Sequence, residues 1–459
     1  MKKQREHWGS RLGFIMATAG SAIGLGTLWK FPYVTGQNGG GAFVILYILF
    51  TLLIGIPIFI AELSLGRCAQ RGVVGIFSAL AKNHPAWRMV GWIGFLAAFL
   101  ILSYYSVVSG WGLNYVLMSL TQSYQHLTPS EISNAFDVLY QSADINIFWH
   151  ALFMLLTVGV VYQGVRAGIE YWSRIMMSGL LIILLGLFAY AMTLPGVGQA
   201  AAFVLKPDFS KLTAAGALEA LGLAFFTLSL GQGIMLTYGS YMRRHDDIPK
   251  TAFLISGMVI LVALLSGMTI FPIVFSFGLE PSGGEGLVFK TLPVLFAQLP
   301  GALVISTVFF ILFVFAALTS AVAFLEVVVA NFMDLYGWSR PKAALILGGL
   351  IFLAGIPSAL AGSHELFPSW TKLYGQNFFQ VVDGLASYWL LPLGGLLVAL
   401  FTGWFYDKEL CYQEFVTGST LMRLYRPWRF LMRWAVPIAI LLILLQHGGV
   451  IEVDKFFSF

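Results

Sequence analysis

The chain has 459 residues, 58% of them hydrophobic and only 10% charged, and its mean hydropathy is +0.83. A soluble globular domain carries about 25% charged residues, so this composition excludes one and describes an integral membrane protein. The formal net charge of +5 lies in loops between apolar runs, where it orients a membrane protein and gives no case for nucleic-acid binding.

Repeated apolar runs near 20 residues predict spanning helices rather than the period-two strands of a barrel. The first run, 11–36, follows the charged "MKKQREHW". It outlasts a signal peptide and shows no small-residue cleavage pattern, so it is expected to be a true span. Within it, "AGSAIGLGTLWKFPY" (19–33) sets Gly20, Gly24, Gly26 and Pro32 inside the apolar segment. Inside a helix, glycine costs about 1 kcal/mol against alanine and proline about 3. Runs 41–69 and 89–120 follow, then a polar loop, 121–145, with no recognisable motif, then runs 146–163 and 170–194. The sixth run, 216–241, carries a second irregularity, "LAFFTLSLGQGIMLTYGSY", with Gly231 and Gly233 beside Thr227 and Ser229. Runs 248–278, 302–336, 342–359, 376–406 and 428–446 complete about eleven spans. The run 302–336 exceeds the bilayer's hydrocarbon thickness and is expected to tilt or protrude.

Basic residues set the orientation. Twenty of the 26, from Lys2, Lys3 and Arg5 to Arg433, fall on the side of the N-terminus. Lys206, Lys211, Lys290, Lys372 and Lys455 fall on the other, and Lys30 lies within the first span. The N-terminus is therefore expected in the cytoplasm of a multi-pass inner-membrane protein, with the C-terminus outside. Cys68 and Cys411 map near the cytoplasmic face, and the seven histidines (His7, His84, His126, His150, His245, His364, His447) are scattered. Neither set has disulfide or metal-ligand spacing, and no catalytic constellation argues for an enzyme.

The two glycine-rich interruptions occupy the first and sixth spans, corresponding positions if spans 1–5 and 6–10 are repeated halves. Paired interruptions of this kind point to a transporter binding site. A helix broken at mid-membrane frees carbonyls at one half and N–H groups at the other. In a protein-enclosed cavity those groups become ligands. Carbonyls suit Na⁺ and an ammonium group; N–H groups at the positive end of a half-helix suit a carboxylate. Small residues that merely let helices pack closely are the simpler explanation of one such cluster, but a poorer one of two. Glu62 and Glu326, ionisable within spans, are read as acceptors for N–H groups released near the breaks, with proton coupling left open.

At the level of motifs the chain resembles the neurotransmitter:sodium symporter family, bacterial amino-acid branch. The resemblance rests on "REHWGSRLGFIMATAGSAIGLGTLWKFPY", "NGGGAF", "GIPIFIAELSLGR", "SYYSVVSGW", "FFTLSLGQG", "FAALTSAVAFLE" and "LPLGGLLVALFTGW". It implies an all-α, leucine-transporter-like fold of about eleven transmembrane helices. In that fold 11–194 and 216–406 form a 5+5 inverted repeat with discontinuous helices 1 and 6, and 428–446 is an added helix. It also implies Na⁺ coupling. One sodium site would use the carbonyls of Gly20, Ile23 and Ala316 with the hydroxyls of Thr319 and Ser320. For the family's other sodium site Ala22 and Thr227 match and Thr27 replaces an asparagine. Val259 stands where a second asparagine is expected and cannot ligate, so a single ion is expected. Tyr47 and Thr227 match the chloride positions, but Leu223, Val259 and Ala263 do not, so no chloride requirement is expected.

By the same resemblance, Gly24 stands where monoamine carriers place an aspartate, leaving room for the carboxylate of an amino acid. That carboxylate would meet the N–H groups of Leu25 and Gly26 and the Tyr105 hydroxyl. The ammonium would meet the carbonyls of Ala22, Phe226 and Thr227 and the Ser229 hydroxyl. Ile101, Phe226, Gln232, Ser320 and Phe324 would line the side-chain pocket. Gln232 departs from the apolar residue usual there, which leaves two readings open: a polar or aromatic substrate, or bonding to backbone freed by the break. Lys30 and Asp383 would form the outer gate, lysine replacing arginine and losing its two-pronged contact, with Phe226 over Tyr105 as a thin lid. Arg5, Trp8, Ser240, Tyr241 and Asp334 would form the inner latch. Ser178 replaces a proline that helps unwind the fifth helix. Three functions stay open: sodium-coupled import of a neutral, hydrophobic or aromatic, L-amino acid; an amino-acid receptor or channel-like protein; and a proton-driven carrier or exchanger. The oligomeric state is not readable.

Overall fold

The computed structural model describes residues 5–123, 127–279, 284–363 and 370–451; Lys2, Lys3, His126, His364 and Lys455 lie outside them. Nine continuous helical segments among the described residues are long and apolar enough to cross a bilayer. They are Gly41–Ala69, Pro85–Leu120, Ala143–Tyr162, Val165–Ala191, Ile248–Ser276, Ala302–Tyr336, Arg340–Ala359, Phe378–Phe405 and Met422–His447. Two more spans are interrupted. Span 1 is Arg11–Ala22 and Gly26–Gln37, bent by 52° across the break. Span 6 is Ala214–Thr227 and Ile234–Gly239, joined by a non-helical stretch. The segments therefore follow the predicted order, with ends displaced by a few residues. The last begins at Met422 rather than 428, because apolar hydropathy does not register an interfacial turn rich in Arg and Trp.

The polar segment after span 3 is not a plain loop. It holds the helix Pro129–Gln141, started by a capping box in which Thr128 and Glu131 satisfy each other's backbone N–H groups. The sequence "TPSE" carries that signal, and hydropathy passes over it. In span 5, Ser178 sits inside the unbroken helix Tyr171–Ala191, and the irregularity comes earlier, as a widened turn over Val165–Glu170.

Span 8 packs along span 3 and also touches the first half of span 1 and span 5. In its most apolar window 78% of residues are buried, against 28% in span 11. Spans 4, 5, 9 and 11 turn large side chains such as Leu155, Ile182, Leu353 and Ile438 outward, as helices facing hydrocarbon do. Spans 1, 3, 6 and 8 thus form the centre, and the breaks lie within it.

Candidate functional site

The two interruptions meet at mid-depth. Ser229, held at φ +55°, donates its hydroxyl to the Ser21 carbonyl at 2.8 Å. Gly231 and Gly233 follow at φ +75° and +78°, a conformation L-residues avoid by roughly 1–2 kcal/mol each. A Cβ on Gly231 would also run into the Leu391 carbonyl. The Gly231 N–H freed by the break donates to Glu62 Oε1 at 2.8 Å, so Glu62 meets a released backbone donor. Glu326 does not: Arg340 donates to it at 2.6 and 3.1 Å, and the Tyr241 hydroxyl also donates to it. Its partners come from the start of span 9 and the end of span 6, placed beside it by the fold and not by local spacing.

Beside the breaks, neutral oxygens converge. Thr319 Oγ1 lies 2.8 Å from the Gly20 carbonyl oxygen and 3.0 Å from that of Ala316. Ser320 Oγ lies 3.4 Å from the Gly20 carbonyl and 3.1 Å from that of Ser21. Ile23 is fully buried, and among the described residues no hydrogen bond ends on its carbonyl. Hydroxyls that donate to these carbonyls can rotate to offer a lone pair instead. The set therefore suits a hard, weakly charged cation that prefers oxygen. No three His, Cys, Asp or Glu side chains among the described residues come together as metal ligands.

At the other predicted cation position, the Thr27 hydroxyl donates to the Ala22 carbonyl at 3.2 Å. Thr227 Oγ1 is 3.0 Å from the Tyr47 hydroxyl and donates to the Leu223 carbonyl at 2.9 Å. Val259 is fully buried and adds no ligand.

A chamber of about 20 Å³ adjoins the oxygen cluster, lined by Ser21, Ala22, Gly24, Leu25, Gly26, Tyr105, Phe226, Ser229, Gln232, Ser320 and Phe324. Every residue predicted to bind substrate lines it except Ile101, which lies in the hydrophobic core, and Thr227. The position beside Gly24 is less open than the absence of a side chain suggests. A Cβ there would strike Ser320 Oγ and come within 3.1 Å of Tyr105 Oη. The glycine is therefore needed for the close approach of two hydroxyls. Tyr105 Oη also lies 3.5 Å from the Leu25 nitrogen, and its ring packs on Phe324 with centroids 5.8 Å apart.

Above the chamber a cavity of about 220 Å³ opens away from the N-terminal face. Leu25, Gly26, Tyr105 and Phe226 border both spaces, while Lys30, Glu219, Asp383 and His447 stand around the larger one. Lys30 and Asp383 form no ion pair among the described residues. Lys30 Nζ instead lies 5.2 Å over the Phe226 ring, and Asp383 accepts from Ser387 at 2.9 Å. The expected lid contact of Phe226 on Tyr105 is likewise not made: one ring faces the lysine and the other Phe324. Both departures lie on the wall of the larger cavity, to which spans 1, 3, 6 and 10 contribute.

The N-terminal face is sealed. Arg5 pairs with Asp334 at 2.5 Å, donates to Ser240 Oγ at 2.7 and 3.1 Å, and lies 4.7 Å over the Tyr241 ring. Trp8 is buried, its indole N–H on the Tyr238 carbonyl at 3.1 Å. The predicted latch residues therefore do come together. Sequence reasoning missed Glu170, whose carboxylate takes the N–H groups of Gly9 and Ser10 and the Ser10 hydroxyl at 2.6, 3.1 and 2.8 Å. It also missed Arg340, which ties Glu326 to Glu6. A carboxylate at the edge of an apolar run carries no sign of which distant helix start it will cap.

Comparison with known proteins places the chain among membrane transporters of one family. The profile of the Sodium:neurotransmitter symporter family matches residues 5–138 and 141–456. The sodium-dependent transporter YhdH of Bacillus subtilis is 41% identical over 446 residues, 97% of this chain and 98% of that one. A sodium-dependent transporter of Haemophilus influenzae is 33% identical, over 97% of this chain and 98% of that one. The crystal structure of MhsT in complex with L-phenylalanine superposes with a TM-score of 0.88 at 43% identity, over 97% of this chain and 100% of that one.

Proposed function

The chain belongs to the Sodium:neurotransmitter symporter family, and from that premise we propose that it imports a neutral L-amino acid with Na⁺ by alternating access. One Na⁺ sits between spans 1 and 8, and chloride is not required. The observation that carries this reading is the cluster of Gly20, Ala316, Thr319 and Ser320 oxygens directly beside the chamber at the breaks. An ion there and a zwitterion next to it share span 1 as a common wall, so each organises the other's site.

In this mechanism Na⁺ takes the five oxygens named for it, Ile23's carbonyl included, and fixes the first half of span 1 against span 8. The substrate carboxylate meets the N–H groups of Leu25 and Gly26, where the outer half-helix begins and its dipole is positive, together with Tyr105. The ammonium meets the carbonyls of Ala22, Phe226 and Thr227 and the Ser229 hydroxyl. A chamber of about 20 Å³ has room for a water and not for an amino acid. Entry from the larger cavity therefore moves Phe226, which then covers the ligand. The open cavity on one face and the Arg5–Asp334 seal on the other match an outward-facing state, with the N-terminal face in the cytoplasm. Closure brings Lys30 toward Asp383, and release of the latch opens the inner route. Segments 11–194 and 216–406 are the inverted halves that rock against each other, and 428–446 stands outside them. An apolar or aromatic substrate side chain is supported by Phe226 and Phe324 in the wall and by the L-phenylalanine bound in MhsT.

The test is uptake of labelled neutral L-amino acids by proteoliposomes under an imposed Na⁺ gradient, then under a pH gradient alone. We expect concentrative uptake with Na⁺ only, unaffected by chloride replacement, with a Na⁺ Hill coefficient near one. Uptake driven equally well by the pH gradient would overturn the coupling.

A further inference from the structure

The chamber wall contains a polar side chain that the mechanism does not use and whose oxygen has no partner among the described residues. Gln232 lies between Gly231 and Gly233, both in the left-handed region. It is only 1% exposed, it lines the chamber, and its amide oxygen has no hydrogen-bond partner among the described residues. The other side-chain oxygens lining the chamber are engaged. Ser21 donates to Thr18, Ser229 and Ser320 donate to Ser21, and Tyr105 faces the Leu25 N–H. The Gly231 N–H freed by the break is taken by Glu62, and the Gln232 oxygen accepts from no backbone N–H among the described residues. A buried acceptor without a partner is unfavourable unless something supplies a donor, and Gln232 lines the chamber that a substrate would enter.

The same chamber is lined by the rings of Phe226 and Phe324. We infer that Gln232 selects an aromatic L-amino acid whose ring carries an N–H or O–H donor, tryptophan or tyrosine, over phenylalanine and leucine. This rests on the amino-acid reading of the chamber and adds to it the chemistry of the side chain. The physical basis is asymmetric discrimination. An apolar pocket barely distinguishes ligands that differ by one polar group. A pocket with a buried acceptor penalises the ligand that leaves it unpaired.

The experiment is competition against Na⁺-driven uptake of labelled leucine by the full chain in proteoliposomes. Each donor is paired with a near-isostere that lacks it: tryptophan with 3-benzothienylalanine, in which sulfur replaces the indole N–H, and tyrosine with phenylalanine. We expect at least one donor-bearing member to compete about tenfold better than its partner, about 1.4 kcal/mol. The pair that shows the difference tells indole from phenol. Gln232→Met keeps the volume and removes the acceptor, and should bring that ratio to within about twofold whatever the overall rate. Equal potency within both pairs, in wild-type protein that takes up leucine with Na⁺, overturns the assignment and leaves the symport reading standing. So does a ratio that survives in Gln232→Met. Should that variant fail to fold, the wild-type pairs decide alone. Absence of Na⁺-driven uptake for every neutral amino acid overturns both.

Discussion

In the proposed mechanism the Thr319 hydroxyl serves two chemical states. It donates to the Gly20 carbonyl at 2.8 Å, and the same oxygen can turn a lone pair toward a cation lying between them. Thr319→Val keeps the shape and the burial but removes the oxygen. It should weaken Na⁺ affinity about tenfold or more, about 1.4 kcal/mol, read as the Na⁺ concentration for half-maximal uptake. Unchanged Na⁺ dependence would place the ion elsewhere. Lys30 is a second case. Its ammonium rests over Phe226 and not on Asp383, and a point charge lacks the planar fork that grips a carboxylate at two atoms. Lys30→Arg is expected to pair with Asp383 in the closed form. Labelling of a cysteine at Ser387, on the cavity wall, should then slow when Na⁺ and substrate are present.

At the scale of elements, the breaks depend on backbone freedom at very few positions. Gly231 combines a positive φ with contact against Leu391. Gly231→Ala should therefore lower stability by at least about 1–2 kcal/mol from conformation alone, with substrate binding lost first. A thermal shift in detergent with and without Na⁺ and amino acid would read both effects. A helix end is a more modest case. Thr128→Ala removes the cap of Pro129–Gln141 and should cost about 1 kcal/mol. It acts on a peripheral helix, so Na⁺-driven uptake should continue while the melting temperature falls. The two breaks were legible in the sequence because glycine and serine in an apolar run are local anomalies. The cap was available in "TPSE" too. The widened turn at Val165–Glu170 was not: it ends at Glu170, which reaches the N–H groups of Gly9 and Ser10, more than 150 residues away along the chain.

Over the whole molecule, one face is open and the other latched, and the latch is partly exposed: the Arg5 and Asp334 side chains are 12% and 32% accessible. A pair of that kind biases a two-state equilibrium modestly. Arg5→Ala should shift population toward the inward-open form about fivefold, about 1 kcal/mol. The expected readout is slower outer labelling of a cysteine at Ser387 in a background lacking Cys68 and Cys411. Equal labelling would mean that Trp8 and Glu170 hold the face shut without it. What the sequence by itself determined was local in origin: spans from sustained hydropathy, two breaks from glycines misplaced in helices, and the backbone groups those breaks release, on which the proposed ion-and-zwitterion chemistry rests. Only the tertiary structure decided which charges face each other across hundreds of residues. It set Arg5 on Asp334, parted Lys30 from Asp383, and left the oxygen of Gln232, at the chamber wall, unpaired. The reason is physical: hydropathy and φ preference act on neighbours along the chain, whereas pairing depends on helix tilt and separation, which packing alone sets.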